Sequence, residues 1–224
     1  MCFSATASFI ASGLLTVVGV LSLKKCHHPL QLAFAAIPLI FASQQFIEGL
    51  IWLALIDAND PQEATHLSRS FLFFAMVLWP AWVPFSLLLM ETEVRRRKWL
   101  GWTLAAGAGV ALYHAWALVV AAPSAIIGGH HVHYAVEFPW HLQVVAEFFY
   151  FSATVLAVFI SSVRRMWILG LAVLVSYLIA HHYAIGNVTS VWCYFAALIS
   201  AVILYLLHQE RSTRRAHMVH SAIQ

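Results

Sequence analysis

Glu48 stands within Gln44-Gln45-Phe46-Ile47-Glu48-Gly49-Leu50-Ile51-Trp52. The surrounding apolar run, Leu30 to Ile56, is long enough to cross a bilayer. A carboxylate there is costly unless it is paired, protonated or wetted. Gln44 and Gln45 precede it by four and three residues, so on a helix all three project from roughly one face. Such a group can carry a proton, hold a small polar ligand or bind a metal ion. Glu147 repeats the pattern, with Gln143 one turn before it. His114 lies in another apolar run, and His130, His131 and His133 crowd a polar stretch. Imidazole binds zinc, copper, iron and nickel alike, so these histidines mark metal chemistry without naming the ion. Cys2 and Cys193 supply thiols. Removal of Met1 would set a free amine beside the Cys2 thiol, a pair able to chelate a soft metal or act as base and nucleophile.

The elements that must position these groups follow from composition. Of 224 residues, 62% are hydrophobic and 9% charged, against about 25% charged in ordinary soluble domains. Mean hydropathy is +0.82. This predicts an all-α, polytopic membrane protein; a membrane β-barrel would need short alternating segments instead. The basic residues fall in loops and form no groove, which argues against nucleic acid as a partner. The lipid bilayer is the partner that composition dictates.

Seven spans are expected: Ala5 to Leu23, Leu30 to Ile56, Ser70 to Met90, Trp99 to Ala122, Trp140 to Ser162, Met166 to Tyr183 and Val188 to Leu207. They form one domain, residues 1–207, followed by a basic tail, 208–224, expected to fray. No cationic segment precedes the first run, so the usual secretory signal is not expected. Asp57 to Arg69 reads as a polar loop, and Pro123 to Pro139 as the longest connection. Trp79-Pro80 and Val83-Pro84 should kink the third span or free carbonyls for a neighbour. Gly101, Gly107 and Gly109 offer close packing on the fourth. Lys24, Lys25, Arg95 to Lys98, Arg164, Arg165 and the tail arginines fall in odd-numbered loops and the tail. The positive-inside rule then puts the N-terminus outside and the C-terminus in the cytoplasm, with the cell's inner (cytoplasmic) membrane as the location.

On that topology Glu48, His114 and Glu147 each lie roughly 12 Å in from the outer ends of their helices, at 1.5 Å per residue. His181 and His182 close the sixth span on the outer side, and Trp192 and Cys193 open the seventh. The expectation is a polar cavity in the outer half, open to the outside. Structural alternatives stand beside each element. They read the Glu48 group as an interhelical hydrogen-bond cluster, His114 as a packing residue, the loop histidines as solvated side chains, and Cys2 and Cys193 as a disulfide.

The opening Met1-Cys2-Phe3-Ser4-Ala5-Thr6-Ala7-Ser8-Phe9 resembles the start of a family of bacterial multi-pass membrane proteins, a domain of unknown function. The likeness continues through Ile37-Pro38-Leu39, the Gln44 to Trp52 stretch, Trp79-Pro80 and Val83-Pro84, and ends at Ser190-Val191-Trp192-Cys193-Tyr194-Phe195-Ala196-Ala197. The resemblance implies a fold and no chemistry. It raises Cys2, Ser4, Gln44, Gln45, Glu48, Trp192 and Cys193, with His131 less securely matched, over His141, His181 and His182.

Three functions compete. In a membrane-embedded metal-dependent or redox enzyme, Glu48, His131, His133, His114 and Cys2 would hold zinc, copper or iron. Glu48, Cys2 and Glu147 would then carry the chemistry, and Gln44, Gln45, Ser4, Trp192 and Cys193 would line the site. Seven-helix hydrolases such as alkaline ceramidases are similar in span number, but their His-x-x-x-His on the last span is missing. A small-ligand or proton-responsive sensor or transporter would use a protonatable Glu48 beside Gln44 and Gln45. A structural accessory subunit would dock a protein partner through the His130 to Trp140 segment.

Overall fold

The computed structural model describes residues 4–56, 60–121, 123–128, 131–136, 140–183 and 195–223. Ser4 starts the bundle: its Oγ accepts from the Ala7 amide at 3.2 Å and satisfies one of the free donors at the start of helix α1, Ala5–Lys25. Lys24 and Lys25 occupy the last turn, where cations favour the helix dipole. A 3-10 turn, Pro29–Gln31, leads into α2, Leu32–Ala35, and α3, Ile37–Ile56. The two helices form one span with a break at Ala36, because Pro38 has no N–H to continue the ladder. Helices α1 and α3 pack antiparallel along their length. Gly19 lies against Leu39, the Ser12 hydroxyl donates to the Ala42 carbonyl at 2.8 Å, and the Phe9 ring covers Gly49.

The stretch before Ser70 is helical rather than a loop. Helix α4, Pro61–Leu72, is nucleated by Asp60, whose Oδ1 accepts from the Gln62 and Glu63 amides at 2.9 and 3.0 Å, with Pro61 at the first position. That capping chemistry outweighs the polar composition, and an amphipathic helix keeps Ala64, Ser68, Phe71 and Leu72 inside. A π-helical segment, Phe73–Leu78, joins α4 to α5, Trp79–Met90. Helix α6, Val94–Val120, also starts earlier than expected and takes the basic cluster into its first turns.

The Pro123 to Pro139 connection contains an antiparallel hairpin, β1 Ser124–Gly128 and β2 His131–Ala135. Val132 is fully buried and Tyr134 stacks on Phe71 at 4.7 Å, so the hairpin caps the bundle at the α4 end. Helix α7, Trp140–Phe151, continues through a second π segment, Ser152–Leu156, into α8, Ala157–Ile160. Helix α9 is Met166–Tyr183 and α10 is Ala196–Ile223, so the basic tail continues as helix instead of fraying. Residues 188–194, the start of the expected seventh span, lie outside the described residues.

Among the described residues, five helices are long and apolar enough to cross a membrane: Ala5–Lys25, Pro29–Ile56, Gln62–Met90, Val94–Val120 and Leu142–Ile160. Met166–Ile179 and Ala196–Glu210 are apolar but shorter. Leu14, Val17, Leu112, Val119 and Phe148 are more than half exposed, an outer surface that suits lipid. This is a helical membrane protein.

Its basic loops are tied to one another at one end. Gln31 donates to Glu210 at 2.5 Å, linking the first connection to α10. Arg165, in the left-handed conformation at φ 65°, donates to the Tyr205 hydroxyl at 2.7 Å. Arg96 donates to the Ile160 and Ser161 carbonyls that close α8, and Arg97 to the Leu88 and Glu91 carbonyls that close α5. Glu91 is the centre of this clasp, 1% exposed. Its carboxylate accepts from the Thr92 and Glu93 amides at 3.0 Å, and from the Ser162 amide and hydroxyl at 2.6 and 2.5 Å. Burial pushes the carboxyl up, but the hydrogen bonds from Ser162, Glu93 and Thr92 outweigh it and hold it below its ordinary value of 4.5. A carboxyl depressed on folding stabilises the native state above its unfolded value and loses that contribution as pH falls through the folded one. The thermal midpoint should therefore fall on acidification below 4.5. That part of the fall should be missing in Glu91→Gln, and an identical pH profile for the variant would refute the assignment.

Candidate functional site

Gln44, Gln45 and Glu48 are buried on the inner side of α3, at 2%, 0% and 0% exposure. They pack where α3 meets α1 and the α4–α5 span. Gln45 Nε2 donates to Glu48 Oε2 at 2.9 Å. Trp79 Nε1 donates to Gln44 Oε1 at 2.9 Å, and the Trp79 ring packs on Phe41 with centroids 4.2 Å apart. The acid is thus enclosed by protein rather than set in an open cavity. One amide holds Glu48 from its own helix, and a second amide is anchored across the bundle by an indole. Ser8, on the facing side of α1, is also fully buried. Gln45 Oε1 and Trp52 Nε1 are shut away from solvent with no hydrogen-bond partner among the described residues. One is an acceptor and the other a donor, and each costs free energy while unsatisfied.

A second polar seam is created by proline. Pro80 cannot donate to Ala75 or Met76, whose carbonyls face the helix positions that proline leaves empty, and the Trp79 amide already bonds to Phe74 in the π register. The Tyr150 hydroxyl takes the Ala75 carbonyl at 2.7 Å, and His114 Nδ1 takes the Met76 carbonyl at 3.0 Å. The bond makes Nδ1 the protonated donor. Pro84 likewise leaves the Pro80 carbonyl unclaimed, and Gly107 on α6 lies directly against it. Gly101 and Gly109, by contrast, have nothing within 4 Å of where a Cβ would stand, so the close packing expected of all three glycines is confined to Gly107.

The family of unknown function DUF6629 matches residues 1–219. The chain belongs to that family. No curated protein and no solved structure matches it. In this DUF6629 chain the remaining candidates among the described residues do not gather around Glu48. Glu147 is exposed on α7 and accepts from Gln143 Nε2 at 3.2 Å, so it does not enter the Glu48 cluster as a second acid. His114 is 7% exposed with Nδ1 engaged by the broken helix, a structural bond that withdraws that nitrogen from metal binding. Ser4 caps α1 and does not line the Glu48 cluster. His131 and His133 sit on β2, not on a loop. Cys2, Trp192 and Cys193 lie outside the described residues. Cys26 is a free thiol at the basic end, raised by burial.

Among the described residues, no three His, Cys, Asp or Glu side chains come together in a way that could hold a metal ion. Sequence reasoning missed Trp79, Tyr150 and Glu91. The prolines at positions 80 and 84 announced the freed carbonyls, but nothing local named Tyr150 as the donor.

Proposed function

We propose that this DUF6629 protein is a membrane-embedded sensor of a small polar ligand or of protons, centred on Glu48 in the outer half of a seven-span bundle. In this reading the N-terminus is outside and the C-terminus in the cytoplasm. The observation that carries it is the fully buried Glu48–Gln45 pair with Gln45 Oε1 unsatisfied beside it. A buried acid with a satisfied donor on one side and an unfilled acceptor on the other changes its hydrogen bonding when it gains a proton or a ligand. Gln44 and Trp79 would relay that change to α5 through their direct bond.

Sensing is favoured over transport because the core nearer the basic end is apolar. Phe34, Ile37, Leu87, Leu100, Val158 and Leu207 fill it, and they offer no relay for an ion or a proton. The clasp supports the orientation, since it binds the first, third and fifth connections and α10 together at one end.

Tryptophan fluorescence of the protein in lipid nanodiscs, titrated with pH, tests the reading. The wild type should show a reversible transition that Glu48→Gln abolishes and Glu147→Gln leaves in place. A flat wild-type profile, with no response to any small polar ligand screened, would overturn it. So would stoichiometric zinc, copper or iron that Glu48→Ala removes, because that result favours a metal-dependent enzyme.

A further inference from the structure

We infer that one face of α6 binds an anionic phospholipid of the bilayer, with its phosphate at Arg95 and Lys98 and an acyl chain in the groove between α6 and α7. Arg95, Lys98, Trp99, Trp102, Ala106 and Gly109 recur at the three- and four-residue steps that keep to one side of a helix. The character of that side changes along its length. Arg95 and Lys98 are exposed at the basic end. Arg96 and Arg97 are taken up by the clasp, whereas neither Arg95 nor Lys98 has a hydrogen bond or ion pair among the described residues. Trp99 and Trp102 follow, both more than half exposed, and indoles favour the level where lipid chains meet headgroups. Beyond them the side chains shrink to Ala105, Ala106 and Gly109. With Leu142, Val145 and Phe149 of α7 as the other wall, they line an apolar groove of about 340 Å³. Gly109 has nothing within 4 Å of where a Cβ would stand, so the groove is open at its floor.

The dimensions and the charge select the occupant. Ala105 lies about 10 Å along the helix from Lys98. That is within the roughly 15 Å that the chains of one leaflet occupy. A lipid whose phosphate meets the two cations therefore brings its chain into the groove. A soluble anion would satisfy the cations and leave the apolar walls uncovered. A second copy of this chain fits less well: a two-fold axis along the membrane normal sets Arg95 and Lys98 at the same depth as their counterparts, where like charges repel.

This site is independent of Glu48. Native mass spectrometry of the full chain in mild detergent, titrated with dioleoyl phosphatidylglycerol or dioleoyl phosphatidylcholine, tests it. The anionic lipid should bind more tightly than its zwitterionic counterpart with the same chains. Arg95→Gln and Lys98→Gln should each weaken that binding roughly fivefold, and the double substitution roughly thirtyfold, the worth of one and two cations beside an anionic lipid. Arg164→Gln removes one exposed charge from the same end and should leave binding unchanged. Gly109→Leu fills the groove without altering charge and should also weaken binding. A thermal midpoint equal to that of the wild type would show that this variant is folded. Equal affinity for the two lipids would overturn the proposal. So would an equal loss in Arg164→Gln, which would reduce the effect to diffuse surface charge. Undiminished binding in Gly109→Leu would place the chain elsewhere and overturn it too. A dimer that Gly109→Leu dissociates would overturn it in favour of a second copy in the groove.

Discussion

Gly107→Ala should destabilise this protein by about 3 kcal/mol, the upper part of the range for forcing a methyl group into packed backbone. For a chain of this size that is a fall of roughly 6–12 °C in thermal midpoint. The new Cβ would overlap the Pro80 carbonyl oxygen and stand 3.0 Å from the Ala153 Cβ. Neither neighbour is the flexible tip of a side chain, so relief requires α6 to move off α5. That movement would stretch the His114 bond to the same broken segment. Gly101→Ala and Gly109→Ala are the controls: both sites are open, and alanine should be neutral or improve helix propensity by up to about 1 kcal/mol. Differential unfolding in detergent, followed by tryptophan fluorescence, measures all three. Equal midpoints for Gly107→Ala and Gly109→Ala would refute the account.

The second large effect is expected at Glu48. Glu48→Ala removes the acceptor of Gln45 Nε2 and leaves a buried donor unpaired beside a new cavity, a combined cost of about 3 kcal/mol. Glu48→Gln keeps both the volume and an oxygen acceptor and should cost under about 1 kcal/mol. The contrast separates stability from sensing, since the amide variant should stay folded while losing any proton response. Reversible unfolding in mixed micelles supplies the free energies. If both variants cost the same, the carboxylate charge and not the hydrogen bond holds the site.

Long apolar runs made the helices legible, and α9 was bounded correctly from its sequence. The i, i+3 spacing placed Gln45 and Glu48 on one face, and the structure joins them by a hydrogen bond. What escaped is long-range or short-range in a different way. Trp79 is 35 residues from Gln44, and no local pattern pairs an indole with one amide among several. The start of α4 was hidden by polar composition, although Asp60, Pro61 and Glu63 carry the capping chemistry of a helix start. The hairpin was hidden by its histidines, while the period-2 alternation of Val132 and Tyr134 was present in the residues. Glu91 carries no local signal, because its burial depends on a serine 71 residues away.

The Glu48–Gln45 bond has a consequence for biogenesis. It joins residues three apart on one helix, so the acid can enter the lipid already solvated by its own chain. It need not wait in the translocation channel for a partner helix to be synthesised. The Gln31–Glu210 bond, by contrast, spans 179 residues and cannot close before the last helix has emerged. Insertion of the polar core is therefore an early, local event, and sealing of the clasp at the basic end is a late one.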